Sequence, residues 1–302
     1  MTISAPMVRD LRDKTGAGIM ECKAALAEAG GETEKAIDIL RKRGLKVAEK
    51  KAGRAAADGL VAATVSDAKD LGALVEINCE TDFVARTEKF IGLSQALVRM
   101  VAADPGAADV QVLLAKSLNG MPVAEAVKEI IGSLGENIVV RRAARREVPA
   151  GSHGLVTSYL HAGGKIGVLV ELRCASAAGA AHEALAGLAK DLALQVCSAE
   201  PICLSREQVP AELLTREKEI LRAQPDLTNK PPAIQDKIIQ GRLEKFYQER
   251  CLLDQIFIRD PEGKQKVKDV AAAAQKAVGE PVTVAGFARF RLGEGVEKKA
   301  AE

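Results

Sequence analysis

Residues 59–79 and 154–174, laid over each other without a gap, carry the same residue at eight of twenty-one positions. The identities are Gly59/Gly154, Leu60/Leu155, Val61/Val156, Gly72/Gly167, Leu74/Leu169, Val75/Val170, Glu76/Glu171 and Cys79/Cys174. Each copy reads as strand, Gly-containing turn and a second, more apolar strand, the pattern of a β-hairpin. An Ala- and Leu-rich helix follows each hairpin, at Glu88–Ala103 and 180–198, and a further strand candidate closes each half, at 137–142 and 282–290. A hairpin, helix and third strand repeated in order restrict the chain to two related subdomains. Each is expected to be a three-stranded antiparallel sheet with helices on one face, an α+β unit.

The repeat sets the boundaries of the rest. Residues 1–45 read as three short helices: Val8 and Leu11 on the first, Ile19, Cys22, Leu26 and Ala29 on the second, Ala36, Ile37 and Leu40 on the third, with Thr33 as its cap. The second would stop at Gly30-Gly31 and the third near Gly44. The pattern resembles a UBA-like (ubiquitin-associated) three-helix module. Residues 46–57 are basic and Ala-rich, with Val47 as the one large apolar residue, and read as an exposed linker helix. Core subdomain N is then 58–151 and core subdomain C 152–302. The latter carries an insertion at about 206–255, where helical segments 206–224 and 233–255 flank a proline-rich connection, Pro225 to Pro232. Prolines break the helix there, so the segments are expected to fold back as an antiparallel helical hairpin, a coiled coil. Leu213, Glu217, Ile220 and Leu221 would line one arm and Ile234, Ile238, Gly241 or Arg242 and Phe246 the other.

Composition narrows the function classes. Against 43 basic residues stand 41 acidic ones, so the net charge of +2 offers no bulk attraction to nucleic acid or an anionic membrane. The first twenty residues hold Arg9, Asp10, Arg12, Asp13 and Lys14 and no apolar run, unlike a secretory signal, and no stretch matches a membrane span. The six cysteines form no C-x-x-C pair. These features together lead to the expectation of a cytoplasmic protein. Cys79 and His161 are the one nucleophile–base pair an enzyme could use, but Cys79 recurs as Cys174, which favours core packing. His153 and His182 lack metal-ligand spacing, and there is no G-x-x-x-x-G-K-[ST] phosphate loop. The expectation is no enzyme, no cofactor and no metal. A nucleic-acid-binding or ubiquitin-type adaptor is the alternative, resting on Arg141, Arg142, Arg145 and Arg146 and on the helical start; those arginines read more simply as a solvated strand face.

The repeat also supplies an internal control. After the second strand the first copy continues Glu80-Thr81-Asp82-Phe83-Val84-Ala85-Arg86, whereas the second continues Ala175-Ser176-Ala177-Ala178-Gly179-Ala180. The fold therefore does not need the charged, aromatic version. The bland reading is an Asx-type cap with Phe83 tucked under the loop.

These residues carry a resemblance. Thr15-Gly16-Ala17-Gly18 with Glu21-Cys22-Lys23-Ala24-Ala25-Leu26 looks like the opening signature of the elongation factor Ts family, and Asn78-Cys79-Glu80-Thr81-Asp82-Phe83-Val84-Ala85 is similar to its most distinctive motif. Gly135-Glu136-Asn137-Ile138, Ser158-Tyr159-Leu160-His161, Gly286-Phe287 with Arg289-Phe290, and Gly293-Glu294-Gly295 agree in order. The resemblance implies a translation factor that binds the GTPase elongation factor Tu, as a heterodimer or heterotetramer, and promotes GDP release by displacing Mg²⁺ from the partner. It assigns the displacement to Thr81, Asp82, Phe83 and Val84, and partner binding to Arg9, Lys23 and His161. The helical hairpin would add a regulatory contact. No direct contact with nucleic acid or membrane is implied.

Overall fold

The computed structural model describes residues 3–228 and 230–296; Asn229 of the proline-rich connection, and residues 1–2 and 297–302 of the terminal units, lie outside the described residues. Helices α1 (Ala5–Thr15), α2 (Ile19–Glu28) and α3 (Thr33–Lys51) come first. The first half of the repeat is β1 (Asp58–Val65), β2 (Leu71–Cys79), α4 (Asp82–Ala85), α5 (Glu88–Ala103), α6 (Val110–Ala115), a small hairpin of β3 (Ser117–Leu118) and β4 (Met121–Pro122), α7 (Val123–Leu134) and β5 (Ile138–Glu147). In the second half β6 (His153–His161), β7 (Ile166–Cys174), α8 (Ala177–Ala180) and α9 (Glu183–Ala199) precede the insertion, which holds α10 (Ala211–Arg222), α11 (Pro225–Thr228) and α12 (Pro232–Arg250). The chain then closes with α13 (Val267–Val278) and β8 (Val282–Arg291). The two main sheets run β1-β2-β5 and β6-β7-β8, antiparallel throughout, so the fold is α+β.

The repeated residues explain how the two halves meet. Val61 donates its N–H to the Gly164 carbonyl at 2.8 Å, and Val156 donates to the Lys69 carbonyl at 2.6 Å, the same bond made from the opposite side. Val61, Leu74, Val156 and Leu169, with Val148 and Phe290, form an apolar cluster between the sheets. A β-carbon on Gly72 would stand 2.8 Å from Val156 Cγ1 and one on Gly167 2.5 Å from Val61 Cγ1, so only glycine admits this approach. Val75 and Val170 face the separate cores of their own halves. Both third strands carry a bulge opposite the repeated glutamate, at Glu76 and at Glu171.

Several expectations are corrected. Helix α3 does not stop near Gly44 but runs to Lys51, so the first part of 46–57 is its last turns, with Ala48 buried in the first core. Gly44 is a crossing point: a β-carbon on Gly132 of α7 would lie 2.5 Å from the Gly44 Cα, and Arg41 pairs with Glu129 at 2.8 Å beside it. Glu32, not Thr33, occupies the cap position of α3. Ile19 is exposed, while Ala25 joins Cys22, Leu26 and Ala29 inside.

The two arms of the insertion pack through Leu214, Leu221, Leu227, Ile238, Ile239, Leu243 and Tyr247, leaving Ile220 and Ile234 each 50% exposed. Residues 239, 243 and 247 follow at intervals of four and join Ile238 in the seam, while the expected Leu213 and Phe246 pack at its base against Cys203, Val209 and Cys251. Strand β5 continues past Arg142 to Glu147, and its arginines are not a solvated face. Arg141 and Arg142 reach fully buried Glu76 at 2.9 and 2.5 Å, Arg142 lies 4.4 Å over the Phe290 ring, and Arg145 and Arg146 donate to the Ala102 and Phe287 carbonyls. A buried carboxylate requires such partners, and the inter-sheet surface is where they are found.

Candidate functional site

The loop after the second strand is built on one frame in both halves. Thr81 Oγ1 accepts the Val84 N–H at 3.5 Å, and Ser176 Oγ accepts that of Gly179 at 3.0 Å, each capping a one-turn helix. The Cys79 thiol donates to the Thr81 carbonyl at 3.0 Å, as Cys174 does to Ser176 at 3.3 Å. A glutamate two residues ahead of the third strand then ties the loop down. Glu136 Oε2 accepts the Thr81 N–H at 3.0 Å; Glu280 Oε1 accepts those of Ser176 and Ala175 at 2.9 and 3.0 Å. The cap hydroxyl joins the same carboxylate in both halves: the Thr81 hydroxyl donates to Glu136 Oε1 at 2.6 Å, and the Ser176 hydroxyl bonds Glu280. The first half adds one bond, from the Asn137 N–H to Glu80 Oε1 at 2.8 Å.

What differs is the cargo. Asp82 and Phe83 stand where the second half has Ala177 and Ala178. The cap is Thr81 rather than Asp82, and Phe83 is 80% exposed, so the bland reading fails on both counts. Leaving a phenyl ring in water forgoes roughly 1.5–3 kcal/mol of burial. No other large apolar residue among the described ones is as exposed. Asp82 pairs with Arg86 at 2.7 Å in a solvated i,i+4 contact, a type worth about 0.3–0.5 kcal/mol, so the carboxylate is easily given up to another cation. Val84, in contrast, is buried with Ala85 in the first core. Of the four residues of the tip, Thr81 and Val84 hold it, and Asp82 and Phe83 are presented.

The remaining candidates lie on other units. Arg9 on α1 and Lys23 on α2 are exposed and line one groove with Arg12 and Ile19; neither makes an ion pair with the described residues. The helical unit that carries them is fastened to the core at the loop between α1 and α2. Lys89 Nζ donates to the Thr15 carbonyl and Ser133 Oγ at 3.3 and 2.7 Å, and Ser133 donates to the Gly16 carbonyl at 3.1 Å. His161 is exposed where β6 enters its hairpin turn, with Nδ1 3.1 Å from the Tyr159 hydroxyl. Cys79 is fully buried, and burial pushes its thiol up to about 12, the opposite of an activated nucleophile. Among the described residues no group of three or more His, Cys, Asp or Glu is placed to hold a metal, and no helix is long and apolar enough to cross a membrane.

Comparison with known proteins decides among these readings. The family described as Elongation factor TS matches residues 80–294, a span that opens one residue before Thr81. The chain is 45% identical over 298 residues to an elongation factor Ts of Clostridium perfringens (strain SM101 / Type A), covering 98% of this chain and 95% of that protein. This chain belongs to the elongation factor Ts family. The one from Magnetococcus marinus is 44% identical over 301 residues, covering 99% and 95%. Elongation factor Ts of Clostridium kluyveri (strain NBRC 12016) is 41% identical over 299 residues, covering 98% and 95%. Membership of the elongation factor Ts family makes this chain a translation elongation factor, with its role in protein biosynthesis.

Reading the sequence did not assign a role to Glu80, Glu136 or Glu280. A signal was present: an acidic residue stands two positions before the third strand in both halves. That it reaches the tip of the preceding loop is visible only once the strands are side by side.

Proposed function

We propose that this chain binds elongation factor Tu in its GDP-bound state and promotes GDP release and exchange for GTP, without making or breaking a bond in the nucleotide. The observation that carries the reading is the contrast between Asp82-Phe83 and Ala177-Ala178 on matched frames, with Phe83 left in water. A ring held out on a capped turn suits insertion into a partner, because its position is set beforehand and little ordering is lost on binding. The nucleotide's Mg²⁺, in the partner, demands near-octahedral oxygen ligands, several of them water. Phe83 wedges beside that site, and Asp82, exchanging Arg86 for the ion's water shell, disturbs it. With the ion displaced, phosphate repulsion is no longer neutralised and GDP leaves.

Arg9 and Lys23 in one groove of the helical unit, and His161 on the second half, supply further contacts, so the partner is gripped at more than one unit while the tip works. A factor that binds the nucleotide-free partner more tightly must by linkage weaken GDP binding by the same factor, and GTP entry expels it in turn. The assembly is a heterodimer or heterotetramer in the cytoplasm, with no direct nucleic-acid contact; of the arginines behind the adaptor alternative, Arg141, Arg142 and Arg146 are engaged between the sheets and Arg145 at the Ala102 carbonyl of α5. The test is release of a fluorescent GDP analogue from elongation factor Tu. The chain should accelerate it strongly, and an Asp82→Ala, Phe83→Ala variant that still binds should not. Full acceleration by that variant would overturn the proposal.

A further inference from the structure

We propose that Glu136 is a positioning residue for exchange: it holds the tip at the angle at which Phe83 and Asp82 enter the partner. This rests on the function proposed above. Glu136 touches neither Asp82 nor Phe83; it acts through Thr81, taking that residue's N–H at 3.0 Å and its hydroxyl at 2.6 Å. Thr81 immediately precedes Asp82 and caps the turn through the Val84 N–H. One carboxylate thus fixes both the backbone and the side chain from which the turn starts, and a charged acceptor makes both bonds strong. Beside it Glu80 Oε1 takes the Asn137 N–H at 2.8 Å, so the loop after β2 and the loop before β5 each lend a carboxylate to the other's backbone.

The second half shows which part of this is scaffold and which is specific to the tip. Glu280 makes the corresponding backbone bonds at 2.9 and 3.0 Å to Ser176 and Ala175. There the position of Glu80 is filled by Ala175, and the loop presents only alanines. The fold is served by one glutamate taking backbone N–H groups and the cap hydroxyl, as Glu280 also bonds the Ser176 side chain. The reciprocal Glu80 bond is added on the half where a ring and a carboxylate must be aimed. Loss of aim without loss of contact slows a step rather than weakening binding, and small misplacements at a reacting site carry rate costs of order tenfold to a hundredfold.

The experiment measures release of a fluorescent GDP analogue from elongation factor Tu as the concentration of this chain is raised, giving a maximal rate and a half-saturating concentration. Wild type is compared with Glu136→Ala, Glu280→Ala and the Asp82→Ala, Phe83→Ala double variant. Glu136→Ala should lower the maximal rate about tenfold or more, leave half-saturation within about threefold, and cause no further slowing when added to the double variant. Glu280→Ala, the same lesion on the same frame without a tip, should leave the maximal rate within about twofold. If Glu136→Ala does not fold, Thr81→Val decides: it keeps the backbone bond, breaks both hydroxyl bonds and should lower the same parameter. A normal maximal rate in the Glu136 or Thr81 variant, with a slow double variant, overturns the positioning role and leaves the proposed function standing. Equal slowing by Glu280→Ala overturns it as well. A double variant at full rate removes the proposed function and the positioning role with it.

Discussion

A γ-methyl of Val61 lies 2.5 Å from where a β-carbon on Gly167 would stand, and Val156 and Gly72 repeat the relationship at 2.8 Å across the same pair of sheets. The closeness of the two halves therefore depends on glycine at both points. Gly167→Ala should destabilise the protein by about 1–3 kcal/mol, the usual range for overpacking a tight interface. Denaturant unfolding checks this, and adding Val61→Ala should return part of the loss if the contact is the cause.

Glu76 is fully buried with Arg141 and Arg142 at 2.9 and 2.5 Å, and it also accepts the Gly293 N–H at 2.8 Å. Removing it strands two arginines and a backbone donor at the inter-sheet surface. Because both arginines retain some access to water, the loss for Glu76→Ala should fall at or below the roughly 3–5 kcal/mol seen for breaking buried pairs, at about 2–4 kcal/mol. A denaturation midpoint indistinguishable from wild type would contradict the assigned role.

Phe83 and Val84 are neighbours with opposite surroundings, one in water and one in the first core. Phe83→Ala should change stability by no more than about 0.5 kcal/mol while abolishing most of the exchange acceleration. Val84→Ala should cost about 1–3 kcal/mol through the cavity it leaves. Unfolding curves and nucleotide-release rates measured on the same two variants separate the fold from the function.

Burial pushes the thiols of Cys79 and Cys251 up to about 12. Between the ordinary thiol range near 9 and that value, the folded protein retains protons that the unfolded chain has lost. Stability is therefore unaffected by these groups below about pH 9 and declines as pH rises through the window above it. The native protein should leave both cysteines unlabelled by iodoacetamide at about pH 8–9, since the thiolate is the reactive form, and label them after denaturation. Mass spectrometry of the digested protein reads the outcome.

Sequence by itself determined the two-fold repetition, the order of hairpin, helix and third strand, and the difference between the two loops. Those depend on local alternation, on turn residues and on a side-by-side comparison that needs no coordinates. It also contained every residue of the tip, although not which of them face water: a one-turn helix puts Asp82 and Phe83 outside and Val84 inside, and no periodicity develops over so few residues. Gly44 reads as a stop because glycine disfavours helix, yet it is where α3 crosses α7, a contact with a segment far along the chain. The arginines of β5 read as solvated because charge ordinarily is; only the buried Glu76 on the neighbouring strand and the groups packed around them draw them partly out of water. Ile220 and Ile234 read as part of the seam beside Leu221 and Ile238, for want of the partner helix that adds Ile239 and Leu243 and leaves those two half exposed. Tertiary structure alone decided these points, because each turns on which groups from distant parts of the chain share a dry surface, and sequence spacing reports only on neighbours.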